Sequence, residues 1–442
     1  MVNIRLCGCA LVVGLGGCNV SSPPSSTGGV TFDAGSTTDA ATGDGATTAT
    51  NAAGDAATAD TGSDGGPTAA CQSGVVIVTS DYTSTNIVVS QLDGTTLSGS
   101  FVSSGATKPG LALALSGDVD VPFVPPASGR LVLLDRFGTN VVTWMNVADA
   151  TVIAQLPVGT GFESNPHDYI EIDSTHAFLS RFGTNPTPGQ QPFDQGGDVL
   201  ILDTTTPAIL NRIAIPEENP ALQPCPDVMN WIGQEVVLTL GRLSADFSQA
   251  GDGRFIGISP TTNAIDWTVN VTGLQSCGRV AVSPSGKFAA IACSSLVDPT
   301  TSVYDPSESD IVIYDATQTP PQEIRRLGLG VTLGAGIQPT IAFASDDAIL
   351  ALTYGGNATP GDTVFAVSAT TAAVTMLGQA TMPYTLGGMH CSPGCGDVCL
   401  LSDAERNKLR RWQFTGGVFM PLADDTVDTV VGLPPRDIGG LL

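Results

Sequence analysis

Residues 277–292 read Cys277-Gly278-Arg279-Val280-Ala281-Val282-Ser283-Pro284-Ser285-Gly286-Lys287-Phe288-Ala289-Ala290-Ile291-Ala292. Two short apolar runs flank the segment Ser-Pro-Ser-Gly-Lys. Pro presets φ for the first corner of a turn and Gly relieves the second, so the stretch predicts a β-hairpin. Cys277 and Cys293 flank that turn symmetrically. The hairpin would set them opposite each other, and a disulfide within it is expected if their Cα atoms come within about 5.5 Å.

The same kind of segment recurs on both sides. Beyond residue 71 there is almost no helical periodicity, and short runs of Val, Ile, Leu and Thr alternate with Gly, Pro, Asn and Asp, which is a strand pattern. One phrase repeats as Arg130-Leu131-Val132-Leu133-Leu134-Asp135, Asp198-Val199-Leu200-Ile201-Leu202-Asp203 and Asp310-Ile311-Val312-Ile313-Tyr314-Asp315. It sits inside a longer unit. Each unit opens with Pro or Ser and a strand, turns, returns through a second apolar strand, and reaches the phrase after a variable loop. A short outer strand then ends it. Openings fall at Pro109, Pro166, Pro224, Ser276, Pro339 and near Leu386, at spacings of 47 to 63 residues. Four strands per repeat at periods of about 40 to 50 residues mark a β-propeller, and the excess length is loop.

The hairpin at residue 283 resembles the Ser-Pro-Asp-Gly-Lys turn of bacterial propellers of the YVTN/WD40-like type. Ser345-Asp346-Asp347 and Ser392-Pro393-Gly394 hold the same place in other units, and the full Tyr-Val-Thr-Asn phrase is absent. The expected fold is all-β: seven four-stranded blades over residues 71–442. Six units run from about Thr107 to Asp428. The seventh blade would combine three strands from residues 71–106 with a C-terminal strand around Thr429-Val430-Val431, hiding the sheet edges. Six or eight blades, or two β-sandwiches, are the alternatives. Trp144, Trp231, Trp267 and Trp412 fall in strand runs and are assigned to blade packing.

The first seventy residues carry a different message. Arg5 precedes a short apolar run, Leu6 to Leu15, and then Gly16-Gly17-Cys18. A basic start, a short apolar core and small residues before a cut site make an export signal. The run falls well short of the roughly 20 residues of a membrane-spanning helix. Its ending resembles the bacterial lipoprotein signal, which implies residues 1–18 as signal peptide and lipid on Cys18. Residues 19–70 are almost wholly Ser, Thr, Gly, Ala, Asp, Asn and Pro, with six acids and no Lys or Arg. Such a composition predicts a disordered tether with a reach of roughly 35 to 45 Å. The calcium-loop spacing Asp-x-Asp-x-Asp-Gly is missing from it. Lipoprotein sorting rules, applied to Asn19 after the lipidated Cys18, imply the outer membrane. The expected location is the cell envelope, on its surface or periplasmic face.

The formal net charge is −25, and 36 of the 42 acids lie beyond the tether. This argues against nucleic acid and against binding to anionic lipid by charge; the membrane partner is reached through the lipid anchor alone. Of ten Cys, seven lie beyond the leader and Cys18: Cys71, Cys225, Cys277, Cys293, Cys391, Cys395 and Cys399. Export permits disulfides, and the odd count leaves a thiol over. Cys391 and Cys399 flank the Ser392-Pro393-Gly394 turn, so they form the second expected bridge. With His390 and Cys395 they make a poor zinc knuckle, because Cys-x-x-Cys is absent.

No Gly-x-Ser-x-Gly, phosphate loop, His-Glu-x-x-His or Cys-x-x-Cys-His is present, and no cofactor or metal is expected. Propellers bind at the mouth of the central channel, where inner strands begin. The unit openings would bring His167, Asp168, Asp227 and Arg279 to one funnel as a ligand-binding cluster. The leading expectation is a lipid-anchored binding or scaffold module for a protein, peptide or glycan, contacted through the variable loops 183–197, 243–253 and 294–309. The alternative is a lactonase-like propeller hydrolase working at the funnel, since acid–base or metal-assisted chemistry needs such a cluster.

Overall fold

The computed structural model describes residues 73–442, apart from 299–300, 302, 356–359 and 428–429. The leader, Cys18, the tether and Cys71 lie outside the described residues.

Seven antiparallel sheets form a β-propeller, and the termini share one of them. Blade 1 is ordered Pro435–Leu441, Gly74–Ser80, Thr85–Gln91 and Thr96–Ser103 from the inside outward. Blade 2 comprises Val119–Asp120, Leu131–Asp135, Val141–Met145 and Val152–Pro157. Blade 3 is Pro166–Glu171, His176–Thr184, Gly196–Asp203 and Ala208–Ala214. Blade 4 is Pro226–Ile232, Glu235–Leu240, Asp252–Ser259 and Ala264–Gln275. Blade 5 is Cys277–Val282, Phe288–Cys293, Asp310–Asp315 and Gln322–Arg326. Blade 6 is Ile337–Phe343, Ala348–Thr353, Thr363–Ser368 and Val374–Gln379. Blade 7 is Leu386–Cys391, Val398–Asp403, Lys408–Thr415 and Val418–Pro421, with Asp425–Thr426 added to its third strand.

The continuous apolar runs follow from this geometry. Strand side chains alternate between faces, and the middle strands of a propeller blade are covered on both. Val75 and Ile77 pack with Leu400 and Leu409 of blade 7. Val76 and Val78 pack with Leu131 and Leu133 of blade 2. Likewise Leu200 and Leu202 face blade 2, while Val199 and Ile201 face blade 4. Each junction between neighbouring blades holds its own apolar cluster. Burying each large aliphatic side chain contributes about 1.5–3 kcal/mol. The four tryptophans lie on strands, and Trp144 is buried with its indole N–H donating to the Tyr169 hydroxyl at 3.2 Å. The Asp that closes the repeated phrase serves the turn: Asp203 and Asp315 accept the N–H and hydroxyl of Thr205 and Thr317.

Two boundaries differ from the sequence reading. The first unit does not open with a strand at Pro109. Gly110, at φ +83°, turns the chain there, and the inner strand of blade 2 is Val119–Asp120. The phrase at 130–135 is therefore the second strand of its blade, whereas the phrases ending at Asp203 and Asp315 are third strands. The closing C-terminal strand is Pro435–Leu441, not the run around Val430. Thr429 lies outside the described residues, and Val430 and Val431 are exposed. The closing strand is also the innermost of blade 1, so ring closure builds part of the channel wall.

Both expected hairpin bridges are present, Cys277–Cys293 and Cys391–Cys399. Cys395 is also disulfide-bonded. Among the described residues the free thiol is Cys225, buried, with its ionisation pushed up to about 12 by desolvation.

Candidate functional site

Inner strands begin at one end of the ring, and a cavity of about 730 Å³ opens there. The second strand of each blade ends at the same face, so the loops joining second to third strands surround the mouth. These include the long loops after Thr184, Leu240 and Cys293.

His167, Asp227 and Arg279 line this cavity together. His167 starts the inner strand of blade 3 and Asp227 that of blade 4. His167 Nδ1 and Asp227 Oδ1 are 2.8 Å apart, both residues almost fully buried. Phe182 stacks on the imidazole at 4.4 Å between ring centres. A carboxylate on Nδ1 assigns the proton to that nitrogen and leaves Nε2 with its lone pair free. No described residue hydrogen-bonds Nε2. The pair thus has the form of an oriented general base. Arg279, from blade 5, lays its guanidinium over the Phe123 ring at 4.2 Å.

Asp168 does not join them. Its carboxylate accepts backbone N–H groups from Phe123, Tyr169 and Met229 at 3.1, 2.8 and 2.7 Å, and it is absent from the cavity wall. It clamps blades 2, 3 and 4 to one another. Burial raises its carboxyl to about 7 against the opposing pull of those three donors.

The sequence reading missed a second group on the wall. Asp120 of blade 2 and Asp437 of blade 1 both line the cavity. Arg136 binds Asp120 at 3.1 Å and Asp118 at 2.6 Å. Burial favours protonation of Asp120, but the neighbouring Asp437 carboxyl and the Arg136 charge outweigh it and hold Asp120 low. Burial, reinforced by the Asp120 charge, pushes Asp437 well above the usual carboxylate range. Arg436, Gln338, Tyr354 and Tyr384 complete other parts of the wall. One signal for Asp437 was legible: Pro435-Arg436-Asp437-Ile438 repeats the form of Pro166-His167-Asp168-Tyr169. Asp120 lay hidden because the blade 2 opening was placed ten residues early.

His390 is buried at the end of the inner strand of blade 7; burial and the Arg279 charge lower its imidazole to about 4. Its neighbours Cys391 and Cys399 are tied to each other. Among the described residues no group of three or more His, Cys, Asp or Glu is placed to hold a metal ion.

No protein-family model and no curated protein matches the sequence. Solved structures do match. Periplasmic gluconolactonase PpgL of Pseudomonas aeruginosa is 12% identical, with TM-score 0.51 over 84% of this chain and 99% of that one. A Lactobacillus plantarum protein is 11% identical, with TM-score 0.53 over 84% and 100%. Hydrazine synthase of Kuenenia stuttgartiensis is 11% identical, with TM-score 0.51 over 75% and 90%. At these identities the likeness shows the fold alone, and the fold carries unrelated chemistries. What this chain shares with all three is the fold, which here is a seven-bladed β-propeller.

Proposed function

We propose that this protein is a lipid-anchored envelope propeller that binds a small polar molecule in its central funnel and hydrolyses a cyclic ester there. The observation that carries the reading is the His167–Asp227 pair, hydrogen-bonded at 2.8 Å on the wall of the cavity. A volume of about 730 Å³ falls in the range of small-ligand sites, about 300–1,000 Å³. Tyr82, Tyr354 and Tyr384 on its wall offer aromatic surface, and charged groups offer hydrogen bonds. Asp227 orients the imidazole; Nε2 takes a proton from water; Arg279 faces the charge that develops on the carbonyl oxygen. The gluconolactonase likeness contributes only the choice of which esters to offer first. In the experiment, the mature protein is given a panel of aldonolactones. Saturable ring opening, lost in His167→Ala, supports the reading, and rates equal to spontaneous opening throughout count against it.

A second reading keeps the protein a non-enzymatic binder of a protein, peptide or glycan. Its support is that the long loops of blades 3, 4 and 5 crowd the funnel mouth. Recovery of a specific envelope partner, dependent on those loops and indifferent to His167→Ala, would favour it. Lipid attachment is tested separately: metabolic labelling with a fatty acid should be lost in Cys18→Ser.

A further inference from the structure

Four consecutive inner strands break their pairing register near the funnel mouth. The shifts fall between Pro166 and Asp168 in blade 3, Pro226 and Met229 in blade 4, Cys277 and Val280 in blade 5, and Ile337 and Ile341 in blade 6. Such irregularities re-aim side chains and gather next to active sites. In blades 3, 4 and 5 they carry His167, Asp227 and Arg279. In blade 6 the residue is Gln338, second in its strand, and it lines the same cavity. The sequence reading placed that opening at Pro339 and passed over Gln338.

Gln338 does not behave as a packing residue. It is 5% exposed, and its Nε2 is enclosed without a hydrogen-bond partner. An enclosed donor left unpaired destabilises the fold, and such groups in folded proteins mark function more often than packing. Arg279 Nη1 is enclosed without a partner too. The wall's acids are Asp81, Asp120, Asp227 and Asp437. Among the described residues none of them forms an ion pair with Arg279; Asp120 is taken by Arg136 and Asp227 by His167. The Arg279 guanidinium is instead seated over the Phe123 ring at 4.2 Å. The two strands touch: a Cβ on Gly278, beside Arg279, would lie 2.4 Å from the Cβ of Pro339, beside Gln338. A half-turn of the Gln338 amide, which needs no extra space, is enough to present Nε2 to the cavity. A planar cation and a neutral amide, both short of acceptors, thus stand on adjoining strands of one wall. The group that suits both is a negatively charged oxygen.

We propose that Gln338 and Arg279 form an oxyanion pocket in the funnel, and that the pocket binds the carboxylate of a small hydroxy acid. The hydroxy acid as ligand rests on the hydrolase reading. Under that reading Gln338 is a further catalytic residue. Water oxygen bonds to the ester carbonyl carbon as His167 Nε2 takes a water proton. The carbonyl electron pair moves onto its oxygen, which accepts from Gln338 Nε2 and from Arg279. The pair then returns, the ring C–O bond breaks, and the ring oxygen takes the proton back from His167. The product is a hydroxy acid whose carboxylate lies in the same pocket.

Calorimetric titration of the mature protein with D-gluconate reads the pocket, and sorbitol, the same carbon chain without the carboxylate, is the control. Gluconate should bind saturably, and sorbitol at least about 10-fold more weakly. Gln338→Leu should weaken gluconate about 10-fold while its melting temperature holds or rises, because an unpaired amide has been removed. Gln338→Glu, of the same size but with acceptors only, should abolish binding, and it decides the matter if the Leu variant does not fold. Gluconate bound no better than sorbitol by wild type, or bound equally well by either folded variant, overturns the proposal. Lactone opening by the same samples reads the catalytic role: Gln338→Leu should lower kcat about 10²–10³-fold with little change in KM. If wild type binds gluconate through Gln338 but opens no lactone, the hydrolase reading fails and the pocket stands. If wild type opens lactones and folded Gln338→Leu matches it in rate and affinity, the pocket falls and the hydrolase reading stands.

Discussion

His167 Nδ1 and Asp227 Oδ1 meet at 2.8 Å although sixty residues separate them in the chain. The ring makes this contact by setting the inner strands of blades 3 and 4 side by side. If Asp227 orients a base, Asp227→Asn should keep the fold and slow ring opening by about 10²–10⁴-fold, and His167→Ala should do the same. Steady-state rates beside thermal melting curves separate this from a packing role, which would lower the melting temperature and leave the rate of the folded fraction intact.

Asp168 should behave in the opposite way. Its carboxylate satisfies three backbone N–H groups, two of them buried, from two strands and a connecting segment. Leaving such donors unpaired costs about 1–3 kcal/mol each. Asp168→Ala is expected to lose about 3 kcal/mol or more in denaturant unfolding. Ligand affinity of the folded protein should be unchanged.

These two neighbours show what the sequence could and could not reveal. Repeat spacing, turn chemistry and symmetric Cys pairs are local signals, so the propeller, its shared blade and both hairpin disulfides were readable. Which way a side chain at a strand start turns is decided by neighbouring blades. His167 and Asp168 are adjacent, yet one faces the cavity and the other is taken by backbone donors. Asp120 escaped notice because its strand has two residues, too few to show a period, and Pro122 stands only two positions beyond it.

The two bridges should stabilise unequally. Cys277–Cys293 closes a span of 16 residues and Cys391–Cys399 one of 8. In the chain-entropy account the longer loop constrains the unfolded chain more, contributing about 3 kcal/mol for a loop near 15 residues. Replacing both members of the first pair by Ser should lower stability by about 2–3 kcal/mol, and of the second by less. Unfolding curves of the two double variants check the order.

His390 gives a pH dependence of definite sign. Burial, aided by the Arg279 charge, lowers its imidazole from 6.5 to about 4 in the folded protein. Between those values the unfolded chain binds a proton that the folded chain refuses, so stability rises with pH. The contribution is complete above about pH 6.5 and is lost as pH falls towards 4. Asp168, raised to about 7, acts in the other direction over an overlapping range. The comparison must therefore be wild type against His390→Gln, by urea unfolding from pH 4 to 7. The difference should shrink on acidification.

The most direct test of the funnel as a hydrolytic site is a pH-stat measurement of aldonolactone opening by the mature protein and by His167→Ala at matched folded concentration. Saturable acceleration over the spontaneous rate by wild type, and its loss in the variant, is the predicted result. Equal acceleration by both proteins, or none by wild type across the panel, would contradict it.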